Sequence, residues 1–388
     1  MIELYGTGKS KKALLRIGIV SLPLSAAGTI PLHDLVRLLA PLTDRLSILT
    51  GGDAYEKLKN DSSLRIKEIV HPGGNSACSR VIKHLVTQLR ITKWMLTDSS
   101  DVGSWVFFIG GDGLVIPLIA SRLTGRRTIL MFTGSGSLTQ RAYKDPLEEL
   151  TRTISFLACS LSNKIVLYSQ RLKSEWKLER YSSKITIANH HFPDYDMFRV
   201  RKRFVNRENT IGYVGRLSPE KGVMNLIRAV PDLMSSRPDV RLIIAGDGPC
   251  RKAILDLLNE QGLEKKVSVL GWVPHDQLPE LLNELRLIVM PSSTEGLPNV
   301  MLEAMGCGTP VLATAVGAIP DVIEDGRTGF LMETNSPECI LRNILRAVDS
   351  PGLQDVSQNV CELVTSRFNY QRSLLDWKAI IQNAYQTI

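Results

Sequence analysis

Two short stretches of the chain combine charge with backbone freedom in a way that suits a phosphorylated ligand. In Gly215-Arg216-Leu217-Ser218-Pro219-Glu220-Lys221-Gly222, two cations stand between a strand-like run, Ile211 to Val214, and a helical pattern, Val223 to Met234. A guanidinium forks onto two phosphate oxygens, an ammonium adds a mobile point charge, and a helix N-terminus favours anions. Arg216 and Lys221 can therefore hold a diphosphate between them. The second stretch leads from the strand-like Leu287 to Met290 through Pro291-Ser292-Ser293-Thr294-Glu295-Gly296-Leu297-Pro298-Asn299-Val300 into a helix carrying Glu303. Proline is at home in a first helical turn, which predicts Pro298 there. Gly296 lets the backbone approach a ligand, and the unpaired amides from Leu297 to Val300 would face it as anion donors. Glu295 and Glu303 do not share a helical face, so they suit two parts of one extended ligand, such as sugar hydroxyls and ribose hydroxyls.

Such loops need strands and helices to aim them. Apolar, β-rich segments recur at Leu15 to Leu22, Ser47 to Leu49, Trp105 to Ile109, Thr128 to Phe132 and Ile165 to Tyr168, separated by helix-length stretches. That alternation predicts parallel strands with helical crossovers on both faces. A basic, polar passage from His190 to Asn209 reads as an interdomain linker, with the adjacent His190 and His191 facing opposite ways in extended chain. The pattern then repeats at Ile211 to Val214, Arg241 to Ala245, Val267 to Leu270, Leu287 to Met290 and Val311 to Ala313. The fold class is α/β: two Rossmann-like, doubly wound domains facing a cleft. The division is 1–195 for a first domain, 196–209 for a linker, 210–365 for a second domain and 366–388 for a final helical segment. Phe368, Tyr370, Trp377 and Tyr385 make that segment a packing surface.

At 388 residues, 44% of them hydrophobic and 22% charged, the chain suits two globular cores rather than one. The apolar stretch Ile17 to Leu32 is broken by glycine, serine and proline and is shorter than a membrane span, and no secretory signal opens the chain, so cytoplasmic residence is expected. Six scattered cysteines without a Cys-x-x-Cys spacing predict neither a metal site nor a disulfide framework. The net charge of +8 gathers at Lys9 to Lys12, Arg122 to Arg127 and Arg199 to Arg207. Without interleaved aromatics or a reading motif this argues against nucleic acid and for anionic substrates or an anionic membrane surface. Two glycine-rich stretches are set aside as phosphate loops: Gly6-Thr7-Gly8-Lys9-Ser10 lacks the upstream glycine and strand, and Gly110-Gly111-Asp112-Gly113 reads as a tight turn after a strand.

The segments Gly215 to Gly222, Gly246-Asp247-Gly248-Pro249 and Glu295 to Glu303 closely resemble retaining glycosyltransferases of family 4, with their two-domain B-type fold (GT-B). The resemblance continues through Gly317-Ala318-Ile319-Pro320-Asp321 and Glu324 to Leu331, covering most of residues 210 to 335. It implies that Arg216 and Lys221 bind the donor diphosphate, Glu295 the transferred sugar and Glu303 the ribose, with Gly246 and Gly296 to Val300 lining the donor. Gly28, in Ala27-Gly28-Thr29 ahead of a helix at Leu32 to Ala40, would match the family's N-terminal glycine loop, and the last helix would cross back to the first domain. Many relatives place a histidine beside the reacting sugar where this chain has Thr133-Gly134-Ser135-Gly136-Ser137.

The expected activity is transfer of a hexose or N-acetylhexosamine from a nucleotide-diphosphate-sugar to a hydroxyl acceptor, glycan or lipid-linked, with the anomeric configuration retained. Glu295, Arg216 and Lys221 are the expected catalytic residues, and Gly111, Asp112, Thr133 and Ser135 the acceptor-side candidates. Neither a metal nor a cofactor is expected beyond the donor itself, and peripheral contact with an anionic membrane is an expected partner interaction. An epimerase or phosphorylase of the same fold and a silent donor-binding homologue are the alternatives. The base, the sugar and the acceptor are left open.

Overall fold

The computed structural model describes residues 16–386. The first half carries β1 (Arg16–Val20), α1 (Ala26–Leu39), β2 (Arg45–Thr50), α2 (Asp53–Leu58), β3 (Leu64–Glu68), α3 (Ala77–Leu96), β4 (Ser104–Phe107), α4 (Val115–Leu123) and β5 (Arg127–Met131). It continues with α5 (Gly136–Ala142), α6 (Glu148–Leu161), β6 (Lys164–Leu167), α7 (Gln170–Glu175) and β7 (Ile185–Ile187). The second half carries β8 (Thr210–Val214), α8 (Val223–Ser236), β9 (Arg241–Ala245), α9 (Arg251–Glu260), β10 (Val267–Gly271), α10 (Leu278–Glu284) and β11 (Leu287–Met290). After it come α11 (Asn299–Gly306), β12 (Val311–Thr314), β13 (Phe330–Met332), α12 (Pro337–Val348), α13 (Leu353–Arg367) and α14 (Tyr370–Gln386).

Every strand pairing is parallel. The seven-stranded sheet has the order β3-β2-β1-β4-β5-β6-β7 and the six-stranded sheet β10-β9-β8-β11-β12-β13. Central strands covered by helices on both faces are buried along their length, which explains continuous apolar runs such as Ile165 to Leu167 and Leu287 to Met290. Trp105 of β4 is fully buried over Gly18 of β1; a Cβ at Gly18 would lie 2.3 Å from its indole, so the glycine makes room for the largest side chain of the first core. Strand order reverses between β1 and β4 and again between β8 and β11. Ligands of open α/β sheets bind outside the carboxyl ends of strands at such points.

Residues 188–209 connect β7 to β8, and they do so packed against the protein: Phe192, Phe198 and Phe204 are buried together with both histidines and Arg207. The rings of His190 and His191 do not point apart; their centroids lie 4.1 Å from each other. Arg207 is not part of a surface charge cluster either. Its guanidinium donates to the carbonyls of Leu285 (2.9 Å) and Cys307 (2.7 Å) and to Thr309 Oγ1 (2.8 Å), and burial lowers its pKa to about 10.

The helix α14 packs on the first half. The Tyr370 hydroxyl donates to the Arg37 carbonyl, the Trp377 indole donates to the Asn189 carbonyl, and Trp377 is wholly buried. No described helix is long and apolar enough to cross a membrane. The basic run Lys9 to Lys12 and the glycine-rich Gly6 to Ser10 lie outside the described residues.

Candidate functional site

The loop after β8 is fixed from below. The Tyr213 hydroxyl donates to the Arg216 carbonyl (2.6 Å), and the Leu217 amide donates to the Asp247 carbonyl (2.9 Å) while the Leu217 carbonyl accepts from the Cys250 amide (2.8 Å). The β8 and β9 loops therefore move as one body, with Leu217 buried between them. A single 3-10 turn, Pro219–Lys221, turns Lys221 toward the loop after β11. There its Nζ meets Glu295 Oε1 at 2.6 Å, and the Ser292 hydroxyl donates to the same oxygen at 2.7 Å. Glu295 is only 7% exposed, so the pair is a charge-assisted contact in poor solvent rather than a surface ion pair. Arg216 is exposed to the cleft, with the Tyr143 hydroxyl of the first domain beside it.

The helix α11 starts one residue later than the sequence predicts. Pro298 is its cap residue in extended conformation (φ −72°, ψ 125°), and the first helical turn is Asn299 to Met301. The orphan amides of that turn open toward the cleft, since Leu297, Pro298, Asn299 and Val300 all line it.

Facing them across the cleft, the first domain contributes Gly28, Ile109, Thr133, Ser135, Tyr168 and His191, enclosing about 670 Å³ with Arg216, Lys221, Glu295 and Gly296. Gly296 touches the opposite wall: a Cβ there would lie 2.3 Å from the Thr133 carbonyl oxygen and 2.9 Å from the Tyr168 ring. A second cavity of about 810 Å³ adjoins the first through Arg216, Asn299 and Val300 and runs on past Gly246, Asp247 and Trp272 to His275 and Glu303. Together they form one trough with a cationic middle and a carboxylate toward each end.

Glu303 is buried and bonded to His275, whose Nε2 lies 2.8 Å from its Oε1. Burial pulls the His275 pKa down, but the Glu303 bond and charge, with Asp34 nearby, outweigh it and raise the pKa overall. Asp34 comes from α1 of the first domain. Burial, opposed by Arg37 and reinforced by the Glu303 charge, pushes its carboxyl up to about 7.

The structure brings together Gly28, Thr133, Ser135, Arg216, Lys221, Gly246, Glu295, Gly296, Leu297, Pro298, Asn299, Val300 and Glu303. Gly28 sits inside the first turn of α1, not in a loop ahead of it, because the helix already begins at Ala26. Gly111 and Asp112 are not brought to the cleft. Their 3-10 turn packs on α6, Gly111 is buried against Phe107, and Asp112 is bonded to Ser155.

Two residues line the trough without any local sequence signal, His275 and His191, and Asp34 lines a cavity of about 450 Å³ beside it that shares His275, Asn299 and Glu303. His191 is 4% exposed and lines the first cavity, with Asn299 facing it and burial lowering its pKa to about 3. It is a neutral imidazole in the wall, near the position where Thr133 stands.

Residues 194–360 match the family described as Glycosyl transferases group 1. The alpha-D-kanosaminyltransferase of Streptomyces kanamyceticus is 26% identical over 274 residues, 67% of this chain and 71% of that protein. The phosphatidylinositol N-acetylglucosaminyltransferase subunit of Saccharomyces cerevisiae is 28% identical over 219 residues, 52% of this chain but only 48% of that protein. Among solved structures, Anabaena HepE in complex with UDP and glucose superposes with a TM-score of 0.76 at 18% identity, covering 95% of this chain and all of that one. Sucrose-phosphate synthase from Thermosynechococcus elongatus also gives 0.76 at 18% identity, over 96% of this chain and all of that one. Both likenesses establish the two-domain GT-B fold.

Proposed function

Residues 194–360 belong to the group 1 glycosyl transferases, and from that premise we propose that the chain transfers a hexose or N-acetylhexosamine from a nucleotide-diphosphate-sugar to a hydroxyl acceptor, with retention. The observation that carries the reading is the Lys221–Glu295 contact in the wall of the interdomain cavity, with Arg216 unshielded beside it. As the sugar–phosphate bond breaks, charge grows on the departing diphosphate. Arg216, Lys221 and the first-turn amides of α11 stand ready to bind that charge more strongly than the ground state, which is what lowers a barrier. Glu295 holds Lys221 in place and offers its other oxygen to the sugar; Glu303 takes the ribose end. The cations are the protein's own, so the reading calls for no resident cofactor.

In this reading the second sheet serves the donor and the first sheet the acceptor. Thr133, Ser135 and His191 offer hydroxyls and an imidazole where the sugar would sit. The yeast relative's name, which contains phosphatidylinositol, supports a lipid acceptor, and with it a place at a membrane surface. UDP in the Anabaena structure supports a nucleoside diphosphate in the trough.

A thermal-shift screen of UDP-, GDP- and ADP-sugars tests donor binding. A ligand bound only by the folded state stabilises it by about 2.7 kcal/mol at a hundredfold excess over Kd, so one base class should raise the melting temperature by several degrees. Arg216→Ala should abolish that rise without altering the unliganded melt. A screen in which no nucleotide sugar shifts the protein would remove the proposal.

A further inference from the structure

The helix α3 is apolar on both faces: it buries Ile91, Trp94 and Met95 with Thr87 and Gln88, and it exposes Ile82, Leu85, Val86, Leu89 and Leu96 along its outer face. The inward polar groups are satisfied: Gln88 Oε1 accepts from the Ile116 amide (2.9 Å), and the Thr87 hydroxyl bonds His71 and the Lys83 carbonyl. The neighbouring α4 exposes Ile119 and Leu123, the latter 82% exposed and the most exposed large apolar side chain of the described residues; α6, packed on α4, adds Leu150 and Leu157. One helical layer of the first domain thus presents an apolar surface that nothing among the described residues covers. Patches of this kind on a soluble fold mark interaction sites.

Its charge identifies the partner. From Ile69 to Thr97 and from Gly113 to Lys144 the chain contains no aspartate or glutamate, while Lys83, Arg90, Lys93, Arg122, Arg126 and Arg141 fall within those stretches. The acids of α6, Glu148 and Glu149, are confined to its first turn. Apolar side chains along a helix with basic residues around them suit the plane of an anionic bilayer, where the former enter the acyl boundary and the latter meet the headgroups. The layer also borders the cleft. Arg80, one turn before this stripe's main run, is paired with Asp145 in the segment joining α5 to α6, and α5 touches the Pro219–Lys221 turn across the cleft.

We propose that the α3–α4–α6 face docks the protein on an anionic lipid bilayer, holding the mouth of the cleft at the membrane surface where a lipid-borne hydroxyl acceptor would reach it. The last clause alone rests on the transferase reading; the docking does not.

The 388-residue chain is sedimented with extruded phosphatidylcholine vesicles, with and without phosphatidylglycerol, at low and high salt. Wild type should pellet with the anionic vesicles and lose binding as salt screens the headgroups. The doubles Leu85→Glu/Leu89→Glu and Arg90→Glu/Lys93→Glu, all on exposed positions, should each reduce binding at least about tenfold. Leu255→Glu, exposed on the other domain, should bind as wild type, and all three variants should melt as wild type does. The proposal falls if wild type does not pellet with anionic vesicles or if Leu85→Glu/Leu89→Glu still does. It also falls if light scattering shows a wild-type dimer that this double converts to monomer, since the face would then join two copies. Because no sugar donor is needed, vesicle binding without any donor response would leave this surface standing and remove only the transferase reading.

Discussion

Lys221, Ser292 and Glu295 show how three ordinary residues become a device once two loops meet. A carboxylate that is 7% exposed needs its cation, and the cation is held where a diphosphate would lie. Asp34 is the opposite case, a buried acid whose neighbours include another acid. Its carboxyl is raised to about 7 from a usual value near 4. The folded protein therefore holds a proton there that the unfolded chain has released, so this group's contribution to stability declines as pH rises from about 4 to about 7 and is flat above. Asp34→Asn, which cannot ionise, should be more stable than wild type at pH 8.5, by up to about 4 kcal/mol, and keep only about 1.5 kcal/mol of that advantage at pH 5. Equal melting temperatures at both pH values would contradict this account. The Arg216–Lys221 pair was legible in the sequence because both cations sit in one loop. Asp34, His191 and His275 were not, since each is a lone residue brought to the trough, or for Asp34 to the cavity beside it, by folding from an unrelated stretch.

At the level of elements, the strand–loop–helix units do the positioning. Buried central strands announce themselves by unbroken apolar runs, and those were legible within a residue or two. The edge strands β3 and β13 were not: Leu64–Glu68 alternates charge with apolar residues, and Phe330–Met332 is three residues long. The burial of the linker was not legible for a related reason: its charges suggest solvent, yet Arg207 is consumed by carbonyls of the second domain, and Phe192, Phe198 and Phe204 carry the passage inward. The β11–α11 loop offers a sharp test. An alanine at Gly296 would place a methyl group against the Thr133 carbonyl and force the two walls apart. Gly296→Ala is expected to lower turnover by about a hundredfold through misplacement of the reacting groups, while costing only about 1–3 kcal/mol of stability. Undiminished turnover would show that the closed contact between Gly296 and Thr133 plays no part.

At the scale of the whole molecule, two parallel sheets turn the carboxyl ends of their strands toward one trough, and the first domain turns an apolar helical layer, with acids only at the helix ends, outward beside it. The alternation of strand and helix made the two-sheet architecture legible. The trough's division into two adjoining cavities was not, because it depends on which residues of the two halves face each other. The central claim is that Arg216 and Lys221 stabilise a diphosphate as it leaves a sugar. Its most direct test is the rate of nucleoside diphosphate release from the donor that stabilises the protein, measured for wild type and Arg216→Ala across a panel of hydroxyl acceptors. Wild type should release diphosphate in step with glycoside formation, and Arg216→Ala should fall by about 10²–10³-fold, the usual effect of removing one preorganised donor from a developing anion. Equal rates in the two proteins, or a donor that binds wild type tightly yet is never cleaved with any acceptor, would contradict it.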